Sequence, residues 1–389
     1  MSNNFGLENP TVIAYLDNAA TTKPCDAAIN AAMRCMGDNY GNPSSLHGLG
    51  LAAELEVSAA RKAISSALGA LEGEIIFTSG ATESNNTAIL CNANTCDTLS
   101  RKFSRGRQIV TSSIEHPSVE QAMVELERRG FEIVRLSPVN GEITADRIVD
   151  AVNENTALVS MMLVCNENGY ILPISQAFST IKKKYPKVIT HCDAVQAFGK
   201  LKLSSRALNA DFISLSAHKL HGIKGVGALY KSSSARLFPF MFGGGQEKGL
   251  RSGTEATPAI AAFGAAVSEI ADAAKAQKLY DYAKIKLSQL DFITLNIPQG
   301  DCSPYILNFS VKGIRSEIML HYLESRGVYV SSGSACSKGQ RSSVLKEFGV
   351  SDKQADSAIR ISFSRFTMQN EVDMLIEGLI EGERTLIHK

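Results

Sequence analysis

Asp211-Phe212-Ile213-Ser214-Leu215-Ser216-Ala217-His218-Lys219-Leu220-His221-Gly222 reads as a buried strand that carries a lysine to its C-terminal end. A lysine flanked by Ser216 and His218 at such a point is poorly explained as a solvated surface charge. Desolvation favours the neutral amine. A neutral amine is a nucleophile that forms a Schiff base with a carbonyl.

Upstream, Val188-Ile189-Thr190-His191-Cys192-Asp193-Ala194-Val195-Gln196 reads as a second strand, ending in Asp193. A buried carboxylate needs a partner. An arginine or a helix N-terminus would serve, and so would a protonated pyridine nitrogen. Gln196 reaches the same place if a helical turn begins there. A lysine for a carbonyl and a carboxylate for a ring nitrogen are the two groups that hold pyridoxal phosphate (PLP) in its enzymes.

Working outward, short apolar, β-branched runs alternate with helical patterns. Strands are expected at 75–78, 108–111, 133–136, 156–164, 188–192, 212–215 and 226–230. Helices are expected from Ser84, and over 118–129 and 174–185. Strand, helix, strand at this spacing predicts an α/β fold with a mostly parallel sheet covered by helices. Residues 51–68 add a helix before this block. After about residue 260 an alanine-rich helix over 259–278 is expected to link two lobes. Strands at 292–295, 305–310, 328–330 and 358–363, with a helix at 316–326, predict a smaller α+β lobe. The expected division is a large domain over 15–260 and a small one from 1–14 and 261–389.

At 389 residues the chain has room for two such domains. Its net charge of +1 gives no electrostatic case for nucleic acid or a membrane surface. No apolar run is long enough to span a bilayer. Met1-Ser2-Asn3-Asn4-Phe5 lacks a basic region leading into an apolar core, so a cytoplasmic location is the expectation. The eight cysteines form no Cys-x-x-Cys pair and show no zinc spacing with histidine, so no metal is expected.

Several stretches carry candidate chemistry. In Phe77-Thr78-Ser79-Gly80-Ala81-Thr82-Glu83-Ser84 a strand, a glycine turn and a helix start follow one another. Free N–H groups and the helix dipole suit a phosphate there. A helix capped by Ser79 or Thr82 reads the same way. Glu115-His116-Pro117 sets a histidine at a strand end, on the rim where α/β sheets bind ligands. Gly222-Ile223-Lys224-Gly225-Val226-Gly227 leads into a strand and not from a strand into a helix, which excludes a dinucleotide fingerprint. Gly243-Gly244-Gly245-Gln246-Glu247, with Arg251-Ser252-Gly253-Thr254, offers either donors for an anion or a plain turn. In Ser331-Ser332-Gly333-Ser334-Ala335-Cys336-Ser337-Lys338 a cysteine sits on a loop of small polar residues. Lys338 favours its thiolate. Arg360 alternates with apolar neighbours, and it is a residue suited to bidentate carboxylate binding.

In order along nearly the whole chain, these stretches resemble the NifS-like cysteine desulfurases of the aminotransferase class V family. The likeness also takes in Tyr15-Leu16-Asp17-Asn18-Ala19-Ala20-Thr21-Thr22, Gly41-Asn42-Pro43-Ser44-Ser45-Leu46-His47 and Asn166-Glu167-Asn168-Gly169. The resemblance implies fold type I of the PLP-dependent enzymes, with a mostly parallel seven-stranded sheet in the large domain. It implies Lys219 as the Schiff-base lysine, Asp193 on the pyridine nitrogen, Gln196 on the phenolic oxygen and His116 stacked on the ring. Ala81, Thr82, Ser216 and His218 would hold the phosphate. Thr254 would reach the phosphate of a neighbouring subunit, implying a homodimer with shared active sites. Asn42, Asn166 and Arg360 would hold the carboxylate of L-cysteine. Cys336 would accept sulfur as a persulfide for an acceptor protein, either an iron–sulfur scaffold or a thiolation enzyme. Lys219 and His116 would carry protons.

The chain departs from the family pattern in places. Gln340-Arg341-Ser342-Ser343 replaces the usual Leu-Glu-Pro-Ser, and the loop after Cys336 is about two residues short. Cys165 stands where the family often has Asn. The resemblance implies, for housekeeping members, a tail longer than the one ending here at Lys389 that contributes to scaffold docking. The competing functions are selenocysteine lyase or another class V reaction, and a silent scaffold that keeps the fold for partner binding.

Overall fold

The computed structural model describes residues 13–98, 106–269, 273–332 and 343–387, with side chains for all of these except 93–98 and 343. They form two compact units. Among the described residues the larger holds 22–165 and 171–269, and the smaller 13–21, 166–170 and 273–387.

The larger unit is built on a seven-stranded sheet. Its order is Ile75–Thr78, Gly227–Lys231, Phe212–Ser216, Ile189–Asp193, Thr156–Met162, Gln108–Ser112 and Glu132–Leu136. Gly227–Lys231 runs antiparallel to both neighbours, and the other pairings are parallel. All seven expected strands are present, with ends shifted by two residues at most. Every residue of Ile75–Thr78, Gln108–Ser112, Thr156–Met162, Ile189–Asp193 and Phe212–Ser216 is buried. That is why these runs lack a polar–apolar alternation: a parallel sheet is covered on both faces. Thr78, Ser112, Met162, Asp193 and Ser216 all end strands on one rim.

Helices Asp26–Gly37 and Gly48–Leu68 both pack on Thr257–Val267. The last two approach so closely that a Cβ at Gly264 would stand 2.5 Å from Ala60 Cα. The single helix expected over 259–278 does not form. Thr257–Val267 stops where the Ser268 N–H turns back to the Gly264 and Ala266 carbonyls. A separate helix, Ala273–Ser288, belongs to the smaller unit. Residues 261–269 therefore stay with the larger unit, where their helix is packed, and not with the small domain as expected. No helix among the described residues is long and apolar enough to cross a membrane.

The smaller unit has a four-stranded antiparallel sheet in the order Ser331–Ser332, Ala358–Ser362, Ile306–Val311 and Ile293–Leu295. Its core gathers Leu307, Phe309, Ile359 and Ile361 with Met319 and Leu323, and with Val372, Leu375 and Leu379. The last three lie on one face of helix Gln369–Thr385, at helical spacing. Ala14–Tyr15 pairs in parallel with Val328–Tyr329, and Asp17 bridges Ser362. Those bonds draw residues 15–21 into this unit, away from the large domain expected from sequence. Residues 166–170 join it too: Asn308 Nδ2 donates to the Glu167 carbonyl at 3.1 Å, and the Ser303 N–H to that of Gly169 at 2.7 Å.

Candidate active site

The rim of the larger sheet collects most of the residues singled out from sequence. Asp193 is buried at the end of its strand. Its Oδ1 accepts the Val195 N–H at 3.0 Å, and its Oδ2 accepts Asn85 Nδ2 at 2.8 Å. Behind it, His191 ties three strands together through Ser160 Oγ at 2.8 Å and Ser214 Oγ at 3.0 Å. Burial pushes this histidine down to about 3, so it is a neutral structural rivet.

The next strand ends at Ser216, and Lys219 closes the single 3-10 turn that follows, Ala217–Lys219. Lys219 thus lies one turn beyond the strand end and is half-buried. Thr22 clamps this turn. Its N–H and Oγ1 both donate to the His218 carbonyl, at 2.9 and 3.0 Å, and its Oγ1 accepts the His221 N–H at 2.7 Å. His218 is pushed down to about 4 by burial, then by the charges of Lys219, Lys224 and Lys200.

His116 is the N-cap of helix Pro117–Arg128, its Nδ1 accepting the Ser118 N–H at 3.1 Å. Burial lowers its pKa; Asp193 opposes that shift, and Lys219 adds to it. The neighbouring Glu115 is fully enclosed. Its Oε1 accepts Ser112 Oγ at 2.5 Å and the Met162 N–H at 2.9 Å, joining two strand ends. Its Oε2 is buried with no partner among the described residues. Burial raises this carboxyl from 4.5 to about 8, against the two hydrogen bonds and with help from Asp193. Between those values the unfolded chain has lost the proton while the folded protein keeps it. Stability therefore falls as pH rises through this window, by up to about 1.4 kcal/mol per pH unit. Glu115→Gln should flatten that slope, which urea midpoints measured from pH 5 to 8 will show.

Ala81 opens helix Ala81–Thr98, whose first N–H groups have no partner within the helix. Gly80 precedes it with φ +155, and Gly227 lies so near that a Cβ there would meet Gly80 Cα at 2.8 Å. Thr82 is exposed at this helix start, and Ser216 is buried opposite Gly227 in the sheet. No cap from Ser79 or Thr82 closes the start; instead Glu83 accepts the Ser79 N–H at 2.8 Å. Arg251 is committed to that same Glu83 at 2.9 Å, so the glycine-rich stretch does not hold Arg251 ready for an anion. Glu247 is likewise committed, to Arg61 at 2.7 Å. Gln196 lies in a turn and not in a helix, and its Oε1 accepts Lys200 Nζ at 2.8 Å, which leaves its NH2 as the donor end.

Asn42 is exposed, and its Oδ1 accepts the Ser44 N–H at 2.9 Å. Thr254 is exposed on the loop before helix Thr257–Val267. Asn166 and Arg360 belong to the smaller unit. There the Arg360 guanidinium bonds the Asn166 carbonyl and Asp17 Oδ1, each at 2.8 Å. Cys336 lies outside the described residues. Sequence reasoning missed Asn85, Glu115, Ser118, Lys200 and Asp17 as functional groups. Spacing held a signal for two of them: Asn85 follows Ala81 by one helical turn, and Lys200 follows Gln196 by four residues.

The family model for aminotransferase class V matches residues 14–375. A NifS/IcsS protein homolog from Lactobacillus delbrueckii subsp. bulgaricus is 41% identical over 381 residues, covering 94% of this chain and 96% of that protein. A cysteine desulfurase from Enterobacter agglomerans is 37% identical over 377 residues, covering 94% of this chain and 91% of that protein. The solved structure of a NifS-like protein superposes with a TM-score of 0.88 at 36% identity, over 96% of this chain and all (100%) of that one. The fold is accordingly fold type I of the PLP-dependent aminotransferases, with its mostly parallel seven-stranded sheet and smaller α+β unit. The chain belongs to the aminotransferase class V family and, within it, to the NifS-like cysteine desulfurases.

Proposed function

We propose that this protein is a PLP-dependent L-cysteine desulfurase, releasing L-alanine and passing sulfur through Cys336 to an acceptor protein. The observation that carries the reading is the donor set at the rim of the larger sheet. A buried carboxylate (Asp193) suits a protonated ring nitrogen. An amide whose Oε1 accepts from Lys200 (Gln196) has donor hydrogens that suit a ring oxygen. A helix start at Ala81, beside Gly80 and Gly227, suits a phosphate. The half-buried His116 ring and Lys219, carried on the turn that Thr22 clamps, complete the set. These groups fit PLP, whose conjugated ring, when bound, supplies an electron sink.

Within that reading Lys219 would hold the cofactor by its aldehyde, and its amine would move a proton at the substrate's Cα. Thr82, Ser216 and His218 hold the phosphate beside the helix start, with Thr254 reaching in from a second copy. Asn42, Asn166 and Arg360 hold the substrate carboxylate, for which Arg360 must share its guanidinium with Asp17. The Cys336 thiolate attacks the substrate sulfur. A sulfur–sulfur bond forms, the substrate's carbon–sulfur bond breaks, and its electron pair stays on the carbon, which takes up a proton to give alanine. A cytoplasmic setting would keep that thiol reduced.

A homodimer is part of the proposal. Ile29, Met33 and Met36 make an exposed apolar stripe at helical spacing, and Leu51 and Leu55 make another. Phe240 and Phe242 are exposed on the same unit. A second copy would cover such surface.

Intact mass after brief exposure to L-cysteine tests the chemistry, with Cys336→Ala alongside and alanine assayed in parallel. One sulfur added to the wild type, none to the variant, and alanine released by the wild type alone is the expected result. Alanine produced at full rate by Cys336→Ala would sink the persulfide route.

A further inference from the structure

Polar groups from three segments of the larger unit meet in one line. Asn85 Nδ2 donates to Asp193 Oδ2 at 2.8 Å and to Ser118 Oγ at 2.9 Å. Ser118 Oγ lies 2.8 Å from His116 Nδ1, and the Ser118 N–H reaches the same Nδ1 at 3.1 Å. Asn85, Ser118 and Asp193 are all buried.

Chemistry fixes the direction of every bond. A backbone N–H only donates, so His116 Nδ1 carries a lone pair. A carboxylate only accepts, so Asn85 turns its NH2 to Asp193. The second hydrogen of that NH2 goes to Ser118 Oγ. The hydroxyl keeps its own hydrogen for His116 Nδ1. Flipping the amide would set Oδ1 against a carboxylate oxygen. The protein instead leaves Asn85 Oδ1 buried with no partner among the described residues. A stranded oxygen is costly, so the orientation toward Asp193 is the stronger demand.

We infer that Asn85 and Ser118 are positioning residues that carry the hydrogen-bond direction set by Asp193 through to His116 and lock its ring as the neutral tautomer with the proton on Nε2. Nδ1 cannot take a proton without losing two donors. The charged groups that act on the ring are Asp193, which favours protonation, and Lys219, which opposes it. The start of helix Pro117–Arg128 also opposes it through its dipole. His116 then offers an N–H and a ring face, and proton transfer falls to Lys219. This deepens the desulfurase reading and rests on it only for what the ring faces.

The test is deuterium exchange at the imidazole C2–H of each histidine, followed against pH by peptide mass spectrometry on the purified holoenzyme. That exchange runs through the protonated ring, so its pH profile reports the ring's titration. The wild-type His116 midpoint should lie below the ordinary value of about 6.5. Ser118→Ala and Asn85→Leu should each raise it by about one pH unit. Ser118→Thr, which keeps the hydroxyl, should restore it, and exposed His321 should not move. Thermal melts establish that each variant is folded. A wild-type midpoint at or above the ordinary value overturns the inference, as do unchanged midpoints in folded Ser118→Ala and Asn85→Leu. The readout is a titration, so it stands whether or not the protein releases alanine from cysteine.

Discussion

Lys219→Ala should lower alanine release from L-cysteine by about four orders of magnitude or more. Under the proposed function two roles would be lost at once, the amine that would take the cofactor's aldehyde and the carrier of the Cα proton. The surrounding turn gives the change little to disturb. Its geometry is set by Thr22 on the His218 carbonyl and the His221 N–H, and the Lys219 side chain makes none of those bonds. The variant should therefore fold normally by circular dichroism while losing activity. Lys219→Arg should be as inactive, since a guanidinium does not deprotonate. Visible absorbance of the purified proteins separates the two losses: the wild type should carry a lysine-bound chromophore and both variants should not. Activity within tenfold of wild type in folded Lys219→Ala would rule this residue out.

Asp193→Asn should reduce kcat by about two to three orders of magnitude, the size expected when one preorganised electrostatic group is removed from an enclosed site. The substitution nearly preserves shape and removes a charge. It also reverses one hydrogen bond. Both carboxylate oxygens accept in the wild type, one from Val195 N–H and one from Asn85. An amide there must turn its NH2 on one of those donors. Asn85 would lose its fixed orientation, and the His116 titration should shift along with kcat. Steady-state alanine assays and the histidine exchange profile measure the two effects separately. Wild-type kcat in the folded variant would exclude an electrostatic role for Asp193.

Much of the larger unit was legible because its strands are continuous buried runs bounded by turn residues, as in Ile75–Thr78 and Phe212–Ser216. The residues at their ends could be read as a rim for the same reason. What escaped is what depends on convergence in space. Asn85 lies 108 positions from Asp193, and no spacing rule joins them. Glu115 reads in the sequence only as a neighbour of His116, yet it bonds a strand 47 residues on. Arg360 was read from its chemistry as a carboxylate ligand, and its partner Asp17 is 343 positions away. The long helix over 259–278 failed for another reason. Alanine-rich composition favours helix on both sides of residue 270 but says nothing of where packing ends one helix and starts the next.

The Ala14–Tyr15 strand has a consequence for the order of events on the ribosome. Its backbone partners are Gly327 and Tyr329, and the Tyr15 N–H is held by Glu371, 356 residues downstream. The larger unit begins at Thr22 and can close as soon as residue 271 has emerged. The opening strand must wait through all of that synthesis, unpaired, until the last helix appears. Among the described strands its edge waits longest for a partner, and unpaired edges recruit foreign chains. The newborn protein thus has its sheet rim assembled while the smaller unit is still incomplete.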